Sequence, residues 1–198
     1  MMPDANTGGS ARRRLSKPAR REQLLDTALA IIRAQGADAL TFGTLADAAA
    51  VSRAIVYEHF EARPGLLVAL YRRIDEQQAA ALADALRQAP PRLQDVARVM
   101  GTAYFECAVG PEWYAVSAAL KGSVEMEAVQ QELMDRYVAI MAGALAPFSN
   151  LTPDDLLLHC IGLLGAAEAI ARDLSHGRVD GPRAVAALAR LIAAGIRA

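Results

Sequence analysis

Residues 45–60 read LADAAAVSRAIVYEHF. Most are small and apolar, as in two short helices that pack in a core, yet Arg53, Tyr57 and His59 fall within seven residues. Val51-Ser52 interrupts the run, and Ser52 suits the position ahead of a new helix because its hydroxyl can accept from an early helical N–H. The pattern predicts a short second helix over about 44–50, opened by the capping-box-like Thr44-Leu-Ala-Asp47, and a third over about 53–60. Val56 and Phe60 are four apart and share one face. Arg53, Ala54, Ile55 and Glu58 then point largely away from that face, with Tyr57 and His59 at its flanks. Ala48, Ala49 and Ala50 are small enough to let the two helices approach closely.

Upstream, Leu25, Ala28, Leu29 and Ile32 recur at helical spacing between Pro18 and Gln35, and Gly36 supplies a left-handed stop. Three helices of about 16, 7 and 8 residues, with a tight turn between the last two, have helix-turn-helix proportions. An exposed short helix can enter a major groove while its neighbours brace it. Downstream, Glu61-Ala-Arg-Pro64-Gly breaks the pattern and Pro64 suits the first turn of a long helix over about 64–88, ending before Pro90-Pro91. Further helices are expected over about 92–109, 112–121, 125–146, 153–175 and 181–197. Their ends are marked by Gly110-Pro111, Pro147, Thr152-Pro153 and His176-Gly177. No strand-like alternation and no repeat appears, so the class is all-α.

The totals agree. The chain of 198 residues is 54% hydrophobic and 22% charged, in keeping with a globular protein, and is rich in the helix formers Ala and Leu. Net charge is −1, but it is unevenly placed. Residues 12–21, RRRLSKPARR, hold six basic and no acidic side chains, whereas residues 81–198 hold ten basic and thirteen acidic. A positive front on a mildly acidic body points to a polyanion partner at the front. Residues 1–17, rich in Gly, Ser, Asn, Pro and Arg, read as a flexible basic arm. Cys107 and Cys160 lie in apolar helical contexts and read as buried free thiols. The longest apolar stretch, Leu156–Ala167, is twelve residues and too short to span a bilayer. With no secretory signal at the N-terminus, a cytoplasmic location without membrane contact is the expectation.

The order Arg21, Leu25, Ala28, Gly36, Thr41, Leu45-Ala46, Ala49, Val51-Ser52, Tyr57-x-His59-Phe60, Arg63, Leu66 resembles the N-terminal domain of the TetR family of transcriptional regulators. The resemblance covers about residues 18–66. It implies a helix-turn-helix DNA-binding domain over 18–63 and a larger helical effector-binding and dimerisation domain over 64–198. It also implies the partners: a double-stranded DNA operator with palindromic half-sites, a second copy of the chain, and a small-molecule effector. A ligand-responsive repressor is the family habit.

The resemblance assigns residue roles. Thr41 or Thr44 would contact a phosphate at the start of the second helix. Ser52, Arg53, Ala54 and Ile55 would lie at the groove end of the recognition helix. Tyr57, His59 and Arg63 would bind phosphate oxygens. Phosphate contacts fix register while base edges give sequence. Arg53 is the candidate guanine reader, since its fork matches O6 and N7, and Ala54 and Ile55 suit thymine methyls. There are departures: Ala50 stands where the family commonly has Gly, Phe42 and Gly43 stand where polar contacts are frequent, and Glu58 is acidic near phosphates.

In the remaining chain, the stretch from Leu156 and the last helix are apolar around much of their girth and rich in small residues. Leu158, Ile161, Gly162, Gly165, Ala169, Leu188, Leu191 and Ile192 are expected to form a four-helix dimer interface with a second copy. Met100, Tyr104, Cys107, Trp113, Tyr114, Met134, Tyr137 and Met141 supply the polarisable bulk of the middle helices and are the candidate lining of an effector cavity. Glu106 could orient a ligand there or sit on the solvent face. No metal-ligand spacing, phosphate loop or nucleophile motif occurs, so neither metal nor cofactor is implied and an enzyme is not the expectation. The competing reading is a helical adaptor that binds protein through its apolar C-terminal face.

Overall fold

The computed structural model describes residues 15–119 and 124–196, with the side chains at 111, 112, 114 and 124–126 outside that description. The arm over residues 1–14 also lies outside it. Among the described residues there are nine α-helices and no strand: α1 Lys17–Gln35, α2 Phe42–Ala49, α3 Arg53–Phe60, α4 Arg63–Gln88, α5 Leu93–Ala108, α6 Pro111–Ala119, α7 Val124–Leu145, α8 Pro153–Ser175 and α9 Gly181–Gly195. No helix of these is long and apolar enough to cross a membrane.

Side-chain caps open α1, α2, α8 and α9. Ser16 accepts from Ala19 N at 3.4 Å ahead of α1, Thr152 from Asp155 N at 3.2 Å ahead of α8, and Asp180 from Arg183 N at 2.8 Å ahead of α9. Gly36 closes α1 at φ +84°, and Gly177 follows α8 at φ +69°, both in the left-handed half of the map that glycine enters freely. The second helix starts two residues earlier than its sequence suggests. Thr41, not Thr44, is its cap, and the box is reciprocal: Thr41 Oγ1 accepts from Thr44 N at 3.1 Å and Thr44 Oγ1 from Thr41 N at 3.0 Å. Ser52 takes the cap position of α3 in extended geometry, but its hydroxyl makes no cap bond.

Two cores form. In the first, α1, α2 and α3 bury Leu24, Leu25, Ala28, Leu45, Val56 and Phe60 together with Leu66, Leu67 and Leu70 of α4. The front half of α4 is therefore part of the N-terminal core, and Val116 of α6 and Leu133 of α7 join it. Each such leucine contributes about 1.5–3 kcal/mol by leaving water. The second core gathers α5, α7, α8 and α9 around Met100, Met141, Cys160, Leu188 and Ile192. Because α4 runs 26 residues, roughly 39 Å at 1.5 Å per residue, it contributes to both cores.

Ion pairs hold α4 on two sides. Arg73 pairs with Glu22 and Asp26 of α1. Arg72 makes a bidentate pair with Glu132 of α7, both contacts at 2.7 Å. The arginine holds the Glu132 carboxyl below the usual carboxylate range.

Candidate functional site

The two faces of α3 have separate jobs. Val56 and Phe60 are buried at 0% and 4% exposure against α1 and α4, while Arg53, Ala54, Tyr57 and Glu58 are exposed and Ile55 and His59 half-buried. Arg21 of α1 braces the helix twice. Its Nη1 donates to the His59 carbonyl at 2.9 Å, and its guanidinium lies over the Phe60 ring at 4.8 Å.

The unusual residues of α2 have a use. Phe42 meets Tyr57 edge to face at 4.7 Å between centroids and steadies that exposed phenol. A Cβ on Gly43 would come within 3.0 Å of Arg53 Nη2, so glycine leaves room for the arginine to lie across the start of α2. Glu58 is met by Lys17 at 3.5 Å across the exposed surface, which offsets its charge beside the basic front.

The turns flanking α3 are both strained. Ala50 is left-handed at φ 53°, ψ 48°, and Glu61 sits at φ 55°. Neither is glycine, so each carries a steric cost of about 1–2 kcal/mol. Gly65 lies so close beneath α3 that a Cβ there would stand 2.7 Å from the Phe60 carbonyl oxygen.

The structure separates Thr41 from Thr44. Thr44 Oγ1 has one proton and gives it to the Ala39 carbonyl at 2.7 Å, while accepting from Thr41 N. The Thr41 hydroxyl, 3.1 Å from Thr44 Oγ1, is then the donor of that pair. Arg63 makes contacts that the sequence did not suggest: Nε donates to Leu40 O at 3.1 Å and Nη2 to Ala37 O at 2.9 Å. The 3-10 turn Ala37–Ala39 and the extended Leu40 present these carbonyls to the first residue of α4, and a guanidinium satisfies both. His59 has its pKa lowered from 6.5, first by burial and then by Lys17, Arg21 and Arg20, against the raising effect of Glu58.

A second feature lies between α4, α5, α6, α7 and α8: a cavity of about 410 Å3. Tyr104, Cys107, Trp113, Met134 and Tyr137 line it. Met100 and Met141 do not. They lie on the same helix faces as Tyr104 and Tyr137 but one turn farther along, where α5 and α7 are buried in the C-terminal core. The Tyr114 side chain lies outside the described residues, and Glu106 is exposed on α5 and is not among the lining residues. Sequence reasoning missed Tyr71, Asp75 and Gln78 of α4, Arg136 of α7 and Glu168 of α8. Asp75 and Arg136 are ion-paired in the wall. A carboxylate on α4 and an arginine on α7, both in otherwise helical polar patterns, give no sequence signal of this meeting.

The apolar C-terminal face divides as well. Leu158 and Ile161 are exposed at 67% and 54%, Leu191 at 46%, and Gly162, Gly165 and Ala169 share that outer surface. Leu188 and Ile192, expected at the same interface, are instead buried inside the protomer, packed toward α5. On α9 they fall on the inward face, and Leu191 stands on the exposed flank beside it.

Residues 24–70 match the family model described as bacterial regulatory proteins, tetR family. Comparison with curated proteins gives no match. Among solved structures, a TetR-like transcriptional regulator from Rhodococcus sp. RHA1 is 23% identical, with a TM-score of 0.61 over 92% of this chain and 98% of that one. A tetR-family transcriptional regulator from Streptomyces coelicolor is 23% identical, with a TM-score of 0.64 over 90% and 79%. The transcriptional regulator FadR from Bacillus subtilis, solved in complex with stearoyl-CoA, is 16% identical, with a TM-score of 0.64 over 88% and 98%.

Proposed function

We propose that this chain, whose residues 24–70 match the tetR family of bacterial regulatory proteins, is a ligand-responsive repressor that binds a palindromic operator as a homodimer. The observation that carries the reading is the division of α3. Its apolar face is locked to α1 and α4, and its outer face offers Arg53, Ala54 and Tyr57 to a groove.

In this reading Arg53 meets a guanine edge through its fork, after swinging off Gly43, and Ala54 and Ile55 approach thymine methyls. Ser52 lies at the groove end of the same helix. Tyr57, His59 and Thr41 hold phosphate oxygens, helped by the unpaired N–H groups of the first turn of α2. Thr44 supports Thr41 from within the capping box. Arg63 acts behind this surface by fixing the carbonyls that aim α2. The basic run over 12–21 adds phosphate attraction.

Dimerisation is supported by the exposed Leu158, Ile161 and Leu191 beside small residues that allow close helix contact. Response to an effector is supported by the cavity, whose wall includes α4, the same helix that packs with α1–α3. A ligand that binds better to one arrangement of α4 shifts operator affinity by that difference. The Bacillus subtilis neighbour holds stearoyl-CoA, which favours a helical domain that admits a small molecule.

The test is footprinting with the purified chain on DNA flanking its own coding region, repeated over a salt series. The expected result is a protected palindrome and an affinity that falls steeply with salt. Absent or salt-insensitive binding by folded protein would favour the adaptor reading instead.

A further inference from the structure

Resting on the reading of the cavity as an effector site, we propose that it takes a flat organic cation. The charged groups that line it are Asp75, Arg136 and Glu168. Arg136 is paired with Asp75, so these two largely cancel. Among the described residues no salt bridge ends on Glu168, which leaves one uncompensated negative charge at the wall. Its field reaches Tyr71 and Tyr104, whose phenols are pushed up chiefly by burial and further by this carboxylate. The phenols therefore stay neutral and present π faces, whose negative quadrupole attracts cations.

The aromatic walls favour a planar shape. Trp113 stacks on Tyr71 at 4.3 Å between centroids and 29° between planes, and Tyr104 stands 5.9 Å from Tyr137. Met134 adds polarisable bulk to the lining. A volume of about 410 Å3 accommodates a fused ring system of two or three rings.

The alternatives fit less well. An anion would meet Glu168 as a like charge. To reach Arg136 it would have to displace Asp75 and leave that carboxylate unpaired in a partly buried wall, which is costly. A neutral ring system gains the stacking but nothing from Glu168. Covalent capture is also disfavoured, because burial pushes the Cys107 thiol up to about 11 and keeps it protonated near neutral pH.

Three probes of one shape and different charge test this: N-methylacridinium, acridine and acridine-9-carboxylate, titrated into the full chain by calorimetry above neutral pH. Trp113, the single tryptophan, reports occupancy of the cavity by quenching. The cation is expected to bind at least about tenfold more tightly than either other probe, the scale of one desolvated cation–π contact plus a carboxylate. Glu168→Gln is expected to reduce that advantage to less than about threefold. Equal affinities, preference for the carboxylate, failure of all three to bind, or a Glu168→Gln variant that keeps the full preference would each overturn the proposal. DNA binding by the ligand-free chain is measured in parallel. Its loss would sink the proposed function, whereas a neutral or anionic probe that binds and releases DNA would leave that function standing and remove only the cation.

Discussion

Ala50 closes α2 in the left-handed region, at φ 53° and ψ 48°, without the glycine that this geometry favours. Its side chain is exposed, so no packing offsets the strain. Ala50→Gly should relieve about 1–2 kcal/mol, less about 0.4–1 kcal/mol of added freedom in the unfolded chain. A net gain of about 0.5–1 kcal/mol in urea denaturation is expected, with unchanged DNA affinity; a loss of stability would mean the turn tolerates the methyl without strain. His59 offers a second residue-scale prediction. Its pKa is lowered in the free protein, so the unfolded chain binds more protons than the folded one at mildly acid pH, and this residue's share of stability is lost as pH falls below about 6.5. A phosphate would raise the same pKa, so DNA binding would take up a proton. Operator affinity should therefore grow as pH falls from about 8 toward about 6, and His59→Gln should flatten that rise. Titrations that stay equally steep in the variant would show that His59 does not face a phosphate. Arg53→Ala should cost about 1–3 kcal/mol on the operator and relax preference at one base position. Equal losses on every sequence would remove Arg53 as a base reader.

At the scale of elements, the join between α4 and the start of α2 decides how the reading surface is aimed. Arg63, the first residue of α4, gives two nitrogens to the carbonyls of Leu40 and Ala37. Arg63→Ala leaves those partly buried carbonyls with fewer partners. It should lower stability by about 1–3 kcal/mol and weaken all DNA binding, with no change in the salt slope. A slope reduced by about one would return Arg63 to direct phosphate contact. This residue also marks where sequence reading stops. Helix ends at Gly36 and Thr152 were legible because these residues act locally, within three or four residues of the groups they satisfy. The face of α3 was legible because Val56 and Phe60 obey one helical period. The inward contacts of Arg63 were not legible because its acceptors exist only once residues 37–40 form a 3-10 turn and an extended step 23 or more residues away. Gly43 and Phe42 looked like departures for the same reason: their purpose, to seat Arg53 and Tyr57, appears only across the α2–α3 turn. In the cavity, bulky type alone could not separate Tyr104 from Met100, which share a face of α5 and differ by one turn along it, nor find Asp75 and Arg136, 61 residues apart in sequence.

At the scale of the molecule, one protomer offers one recognition helix, and α3 at 8 residues is about 12 Å long. That reaches only a few base pairs, too few for operator specificity by itself. Two copies with recognition helices about 34–36 Å apart would read successive major grooves. The surface proposed to hold them is the outer stripe of α8 and α9, where Leu158 and Ile161 stand more than half exposed and Leu191 is exposed as well. Leu188 and Ile192 already serve the protomer's core, so substitutions there would confuse folding with assembly. The informative variant is Leu158→Asp with Ile161→Glu, which places two charges in the stripe and leaves the buried face of α8 intact. It should keep its helical content and melting cooperativity yet sediment as a monomer, because burying two unpaired carboxylates at an interface costs several kcal/mol. Its affinity for the palindrome should fall by at least about a hundredfold, toward that for a single half-site, since linkage of the two binding events is lost. If the variant remains dimeric, the pairing surface lies elsewhere. If it becomes monomeric and still binds the palindrome at full strength, the two half-sites are read independently, and α8 and α9 do not set the spacing of the recognition helices.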